Sequence, residues 1–524
     1  MKRADMLDRL VGRAEPWDLL VVGGGATGVG VAVDAASRGY DVALVEQSDF
    51  GKGTSSRSTK LIHGGVRYLQ QGNVPLVMEA LKERGILRRN APHLVSDLPF
   101  VVPNYLWWEA PFYGIGMKVY DALAGRYGFG SSANLSREET IARIPTIETE
   151  GLRGGVIYHD GQFDDARLLI NLARTAAEQG AVLLNYARVV ALTREAGLFL
   201  DGALVRDEEA GEEIQVRARL VINATGAFTD EVRRMDDAKA EPMVRPSQGV
   251  HVVLPREFLP GEAAIMVPHT DDGRVLFAIP WHGRVLVGTT DTPLDEVSLE
   301  PRPLAEEVDF ILEHAVRYLT RDPRREDVLS VFAGIRPLVA AQDAPEGDTA
   351  KISREHQIHV SASGLMTVAG GKWTTYRKMA EDAVDHAAVI AELEPRECVT
   401  RTLNIHGHHA NAERFGPLAL YGADAPALQE LLDERPGYAE ALHPRLPVRT
   451  GEIAWGARHE MARTLDDALA RRTRSLVLDA RAAIEAAPTA ARVLAEELER
   501  GDDWASAQAE EFRELALGYL PAES

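Results

Sequence analysis

Asp18-Leu19-Leu20-Val21-Val22-Gly23-Gly24-Gly25-Ala26-Thr27-Gly28 decides the fold. Leu19 to Val22 form a short apolar run that reads as a buried strand ending in glycines. The small residues Val29, Gly30, Val31, Ala32, Val33, Ala35 and Ala36 then read as a helix. Gly23, Gly25 and Gly28 satisfy G-x-G-x-x-G. The first glycine permits a tight turn, the second lets backbone approach a pyrophosphate, and the third lets helix and strand pack closely. The helix start at Ala26 and Thr27 offers free N–H groups and a positive dipole end to phosphates. Glycine-rich strand–helix turns also occur for structural reasons alone, so context matters. A second apolar strand, Asp41-Val42-Ala43-Leu44-Val45, ends in Glu46, 18 residues beyond Gly28, where a ribose-binding carboxylate is expected. An acid there argues against a 2′-phosphate and so against NADP.

The 524 residues leave room for two or three domains with a large core. A formal net charge of −21 disfavours nucleic acid and broad adhesion to anionic lipid, although a local basic patch can override the latter. Cys398 is the single cysteine, so no intramolecular disulfide is possible and a reducing compartment fits. The charged stretch from Met1 to Pro16 lacks the apolar region of a secretory signal, and no run of 18 apolar residues suggests a membrane span. No metal site is expected.

After Glu46 comes a hydroxyl- and glycine-rich loop, Gly51-Lys52-Gly53-Thr54-Ser55-Ser56-Arg57-Ser58-Thr59-Lys60-Leu61-Ile62-His63-Gly64-Gly65-Val66-Arg67-Tyr68-Leu69. Its hydroxyls and backbone N–H groups suit a phosphate chain and polar ring edges. Together with the 23–28 turn, this loop resembles the FAD-dependent glycerol-3-phosphate dehydrogenase family, the respiratory, quinone-linked one. The resemblance continues through Asp164-Asp165-Ala166-Arg167-Leu168, Asn223-Ala224-Thr225-Gly226, Pro280-Trp281 and Gly288-Thr289-Thr290-Asp291-Thr292. Gly334-Ile335-Arg336-Pro337-Leu338 and Gly370-Gly371-Lys372-Trp373-Thr374-Thr375-Tyr376-Arg377 extend it. It covers about residues 17–390, with the helical tail matched more loosely.

The resemblance implies an α/β fold. A Rossmann-type FAD-binding domain (17–95, 155–230 and 330–390) is joined to an antiparallel, D-amino-acid-oxidase-like substrate domain (96–154 and 231–329). A C-terminal helical domain spans 391–524. The pattern between Pro242 and Leu329 agrees: Val250 to Leu254, Val275 to Ile279 and Val285 to Gly288 read as antiparallel strands, with turns at Asp271-Asp272-Gly273 and His282-Gly283. Residues 330–335 and 365–368 are assigned to the FAD domain, with residues 374–388 as its closing helix. Asp164 and Asp165 read as caps of a helix over residues 166–179. Val182 to Asn185 and Ala187 to Leu192 read as a strand pair, and residues 198–205 and 213–218 as a hairpin. A helix of about a dozen residues ends near Arg89. In the tail, residues 453–470 and 482–500 have helical periodicity, Pro488 marks a break or a new start, and the charges read as solvated faces.

Between Pro92 and Tyr127 the residues Tyr105, Trp107, Trp108, Phe112, Tyr113, Ile115, Met117 and Tyr120 crowd together, with Lys118, Arg126 and Arg137 as local cations. Two readings stay open: a helix buried on the main domain, or an interfacial segment over residues 112–124 that dips into a bilayer. The resemblance favours the second, implying a cytoplasmic protein held peripherally at the inner face of the cell membrane. A homodimer is left open.

Oxidising a secondary alcohol with a flavin requires a base for the hydroxyl proton and positive charge for a phosphate and for the reduced ring. Carried over residue by residue, the resemblance marks His63, Arg67, Tyr68, His251, Arg336, Arg354 and Lys372 as catalytic. Arg336 and Arg354 would bind the substrate phosphate. Lys372 and Arg67 would hold glycerol oxygens or the flavin C2=O, and His63 or His251 would take the proton. Cofactor contacts are expected at Gly23, Gly25, Ala26, Thr27, Gly28, Glu46, Thr54, Ser55, Ser58, Lys60, Leu61, His63, Val189, Ala224, Thr225, Gly226, Arg336, Lys372, Trp373 and Thr374. Gln248 stands where some family members carry lysine and is left out of the set. The implied reaction turns sn-glycerol 3-phosphate into dihydroxyacetone phosphate and passes electrons to a membrane quinone. The alternative is an oxidase that makes peroxide from oxygen.

Overall fold

The computed structural model describes residues 1–66, 69, 72–194, 197–267, 270, 275–339 and 356–522. Arg67, Tyr68, Arg354 and the Asp271-Asp272-Gly273 turn lie outside them. Strand Trp17–Val22 sits in the middle of an eight-stranded sheet. Val21 pairs in parallel with Ile222 on one side and Leu44 on the other. Leu19, Leu20 and Val21 have no exposed surface, so this strand is buried on both faces; hence the continuous apolar run. Helix Ala26–Ser37 packs on helices Asp165–Glu178 and Tyr376–Ile390. Its small residues permit that approach: a Cβ on Gly30 would lie 3.0 Å from the Tyr376 ring. The opening strand, turn and helix therefore form as the sequence pattern requires, and strand Met366–Gly370 extends the same sheet beside Glu213–Asn223.

The second sheet has ten strands and is mainly antiparallel. Its centre is Val244–Pro255, flanked by Arg284–Gly288 and Ser330–Val339. It continues through Leu276–Trp281 and Ala264–Val267 to Val95–Asn104 and Gly154–Phe163. This places residues 155–163 and 330–339 in the second sheet, whereas the sequence reading assigned them to the FAD-binding domain. Hydrogen-bond register decides the matter: Val101 faces Ile157 and Val250 faces Ala333. Strand Val182–Leu184 joins Val42–Val45 while Ala187–Thr193 pairs with Gly202–Asp207, so the expected strand pair does not form. The hairpin does, since Gly202–Asp207 is antiparallel to the first half of Glu213–Asn223.

Three helical boundaries differ from expectation. Helix Val74–Asn90 has 17 residues, begun by the Asn73 side chain accepting from the Leu76 amide and by Pro75 in the first turn. Residues 453–470 are not one helix: Gly451–Glu460 ends where Met461 turns left-handed at φ 57°. Helix Ala480–Glu497 continues through Pro488.

The tail's charges are not all solvated. Arg472 pairs with Asp49 at 2.6 Å with both side chains fully buried, and Arg167 pairs with Glu460 at 2.7 Å. Arg474 meets Asp164 at 3.0 Å. Burial works against the Asp164 charge, but Arg474 and His282 outweigh it and hold the carboxyl well below the usual range. These pairs tie the tail to the loop after Glu46 and to the start of helix Asp165–Glu178.

Candidate active site

Three adjoining chambers run from the tip of strand Trp17–Val22 to the second sheet. The first is lined by Gly23, Gly25, Ala26, Thr27, Glu46, Thr54, Ser55, Val189, Ala224, Thr225, Gly226, Lys372 and Trp373. Gly23 has φ 111°, and a Cβ there would lie 2.6 Å from the Ala224 carbonyl oxygen. A Cβ on Gly28 would overlap the carbonyl oxygen of Gly23. Gly28 thus shapes the turn from behind and does not line the chamber. The Ala26 amide donates to Ser55 Oγ at 2.9 Å, and the Glu46 carboxylate accepts from the amides of Gly24 at 2.6 Å and Ser48 at 2.9 Å. Burial raises the Glu46 pKa, and those two amides oppose it. Amides at a helix start, a backbone that leaves no room for a Cβ, and a carboxylate at the end of the next strand are the donor set of a pyrophosphate-linked dinucleotide.

The second chamber continues from the first through Thr54, Lys372 and Trp373, and adds Ser58, Leu61, His63, His251, Arg336 and Thr374. Trp373 is anchored by its indole N–H, which donates to the Ser55 carbonyl at 2.8 Å. The His63 amide donates to Thr374 Oγ1 at 3.3 Å. His251 stacks on Phe332 with centroids 4.9 Å apart, and its Nε2 lies 2.9 Å from Thr59 Oγ1. Burial, then the charges of Arg336 and Lys60, hold its pKa well below the ordinary 6.5, so the ring is neutral. Arg336 is oriented by Asp291 Oδ1 at 3.1 Å, Thr289 Oγ1 at 3.1 Å and the Thr290 carbonyl at 2.9 Å. A Cβ on Gly249 would overlap the Arg336 guanidinium, which would have to shift. Gln248 points elsewhere, donating to Glu307 at 2.8 Å.

Lys60 is a correction. Its ammonium is fully buried, 2.8 Å from both Asp165 oxygens and 2.7 Å from the Ser56 carbonyl, so it clamps the loop and lines no chamber. Asp165 answers Lys60 and Ser58 Oγ, while Asp164 alone accepts from the Arg167 amide and caps the helix.

The third chamber shares Thr59, Leu61, His63, Phe277 and Arg336 with the second. It adds Thr289, Asp291, Phe100, Tyr158, Asp160 and Met266. Thr59, Thr289 and Asp291 were missed as site residues. The last two stand in the Gly-Thr-Thr-Asp-Thr stretch quoted above, and Thr59 lies next to the residues chosen, so a signal was present for each.

Helix Glu109–Ala124 carries two parallel stripes. Tyr113, Met117, Tyr120 and Ala124 are buried, whereas Trp108, Phe112, Ile115 and Val119 face outward. Phe112 is 52% exposed, Ile115 68% and the preceding Trp107 75%. Among the described residues no helix is long and apolar enough to cross a membrane.

Residues 18–377 match the family described as FAD dependent oxidoreductase, and residues 366–506 match the C-terminal domain of alpha-glycerophosphate oxidase. The chain is 41% identical over 552 residues to the probable mitochondrial glycerol-3-phosphate dehydrogenase of Caenorhabditis elegans, covering 99% of this chain and 75% of that protein. It is 41% identical over 542 residues to the mitochondrial glycerol-3-phosphate dehydrogenase of Mus musculus, covering 96% and 73%. The glycerol-3-phosphate dehydrogenase of Bacillus halodurans, solved in complex with FAD, superposes with a TM-score of 0.80 at 29% identity, covering 100% and 98% of the two chains.

Proposed function

Because the chain belongs to the FAD-dependent glycerol-3-phosphate dehydrogenase family, we propose that it oxidises sn-glycerol 3-phosphate to dihydroxyacetone phosphate and hands the electrons to a membrane quinone. The observation that carries this reading is the junction of the second and third chambers, where His63, His251, Thr59 and Arg336 converge. When bound, FAD supplies the ring that accepts hydride from the alcohol carbon. The 23–28 turn, Glu46, Ser55, Thr225 and Gly226 would hold its adenosine and pyrophosphate, and Lys372, Trp373 and Thr374 would border its ring.

Arg336 would hold the substrate phosphate by its charge, its plane being fixed by Asp291 and Thr289. Arg67, Tyr68 and Arg354 are given supporting roles on sequence alone. A base must be unprotonated to take the C2 hydroxyl proton, and neutral His251, with Nε2 directed at Thr59, meets that condition. Arg336 depresses the basicity of His251 in the free protein. A phosphate seated on Arg336 offsets that charge and raises the proton affinity of His251 as the substrate arrives.

The exposed stripe on helix Glu109–Ala124 suits the headgroup level of a bilayer. Trp108, Phe112, Ile115 and Val119 recur at helical spacing on one face, beside exposed Trp107. We place the protein at the inner face of the cell membrane, attached through this stripe.

Arg336→Ala should raise KM for glycerol 3-phosphate by about 100-fold or more, the loss of the fixed positive charge facing the phosphate, while FAD stays bound. Unchanged KM contradicts the phosphate assignment.

A further inference from the structure

We propose that Glu307 is a positioning residue for the phosphate site: it holds Arg336 in place from behind, through Gln248 and Thr290, without touching substrate or cofactor. The proposal rests on the reading of Arg336 as the phosphate-binding residue.

Helix Ala305–Val316 packs on strand Val244–Pro255 and carries Glu307 in its first turn. A glutamate at that place ordinarily reaches back to the amide that starts the helix. Glu307 does so, since its Oε2 accepts from the Leu304 amide at 3.0 Å. Capping uses one acceptor and can leave the rest of the carboxylate in water. Glu307 is buried instead, and three side chains from the neighbouring strands take up its remaining capacity. Gln248 Nε2 donates to Oε2 at 2.8 Å. Thr290 Oγ1 donates to Oε1 at 2.9 Å, and Thr292 Oγ1 to the same oxygen at 2.6 Å. Taking a carboxylate out of water is costly, so four donors converging on one buried side chain mark a built network that does more than cap a helix.

Two of the three residues held in this way also hold Arg336. The Gln248 carbonyl accepts from Arg336 Nη1 at 3.3 Å, and the Thr290 carbonyl accepts from Nη2 at 2.9 Å. Their side chains thus bond to Glu307 and their carbonyls to the guanidinium. Thr292 pairs with Gln248 across the two strands, so the third bond pins the same register. The Val250 amide donates to Thr290 Oγ1 at 3.0 Å and joins the two segments a second time. Loosening Glu307 therefore loosens both carbonyls together, and with them one side of the support on which Arg336 rests.

Anaerobic reduction of the FAD-loaded protein by glycerol 3-phosphate tests this, because it separates the half-saturating concentration from the limiting rate. Glu307→Ala should raise half-saturation about tenfold, and the milder Gln248→Met, which keeps the helix cap, about three- to tenfold. The limiting rate should stay within about threefold of wild type in both, since weaker holding of a remote phosphate is a loss of binding. Glu307→Gln should stay within about threefold of wild type in half-saturation: its carbonyl accepts from the two amides, and its own amide donates to the two hydroxyls, which can turn to accept. Glu307→Ala added to Arg336→Ala should change nothing further, because the residue it positions is gone. Half-saturation unchanged in both Glu307→Ala and Gln248→Met overturns the proposal. So does Glu307→Gln as poor as Glu307→Ala, or an effect of full size that persists in the Arg336→Ala background. If Arg336→Ala itself leaves half-saturation unchanged, the phosphate reading fails instead, and this proposal with it.

Discussion

The backbone amide of Gly64 donates to the phenol oxygen of Tyr120 at 2.8 Å. That phenol donates in turn to Asp160 at 2.7 Å, and Arg84 closes the chain 2.5 Å from the same carboxylate. Burial, then Asp160, push the Tyr120 pKa well above 10, so the phenol stays a donor. The turn that carries His63 is thereby seated on the inner stripe of helix Glu109–Ala124. Tyr120→Phe leaves the Gly64 amide and one Asp160 oxygen without these partners, at a cost of about 2 kcal/mol or more. A lowered Tm and a several-fold fall in kcat with unchanged FAD content are expected. A Tm and kcat equal to wild type would show that the link is inert.

Gly28→Ala should abolish cofactor retention. The new methyl group overlaps the carbonyl oxygen of Gly23, so either the turn opens or the helix start moves back. Protein purified without yellow colour, and not restored by added FAD, is the expected outcome. Normal flavin absorbance would contradict it.

Arg472→Met leaves the buried Asp49 carboxylate with Arg471 as its remaining ion-pair partner. Arg471 remains nearby but is shared with Asp466 and Asp467. Breaking a buried pair typically costs about 3–5 kcal/mol. Denaturant unfolding should show a loss of that order, and a change below about 1 kcal/mol would mean that Arg471 alone suffices.

Phe112→Ser combined with Ile115→Ser removes the two most exposed apolar side chains of the outer stripe. Each apolar side chain contributes about 1.5–3 kcal/mol on full burial, so the pair should lower binding to lipid vesicles by at least about 100-fold. The Tm should hold, because neither side chain packs in the core. Undiminished co-sedimentation with vesicles would place the docking face elsewhere.

The depressed pKa of His251 has a kinetic and a thermodynamic signature. Its folded-state value lies below the unfolded 6.5, so the unfolded chain binds the extra proton first as pH falls. The stability it contributes is therefore full above pH 6.5 and lost as pH drops below that value. In catalysis the acid limb of kcat/KM should lie below 6.5, and that of kcat should lie higher, because the bound phosphate offsets Arg336. His251→Ala should remove both limbs along with most of kcat. Limbs that coincide, and persist in His251→Ala, would move the base role to His63.

The fold was legible where one residue type had one job. Gly23 and Gly28 each answer a backbone requirement, and the run from Leu19 to Val22 can only be buried. Pairing partners were less legible. Residues 330–335 look like any apolar strand, and only register with Val244–Pro255 assigns them to the second sheet. Charge was read least well. Lys60 sits among hydroxyls in sequence, yet its charge is spent on Asp165, 105 residues away. Arg471 and Arg472 look like ordinary helical surface until Asp49 is found opposite them. Ion pairs between distant segments leave no local periodicity, so single-chain reading defaults to solvent. The candidate residues His63, His251, Arg336 and Lys372, which line one chamber, were picked out through motif resemblance. Thr59 and Asp291 stood in or beside the quoted stretches, but their pairing with His251 and Arg336 became visible only when the strands came together.

Anaerobic titration of the yellow, FAD-loaded protein is the most direct test of the proposed reaction. Glycerol 3-phosphate should bleach the flavin absorbance to completion in a single phase, glycerol at the same concentration should not, and a soluble quinone should restore the colour. Flavin that stays oxidised with glycerol 3-phosphate, or that bleaches equally well with glycerol, would contradict both the substrate and the role of Arg336 in selecting it.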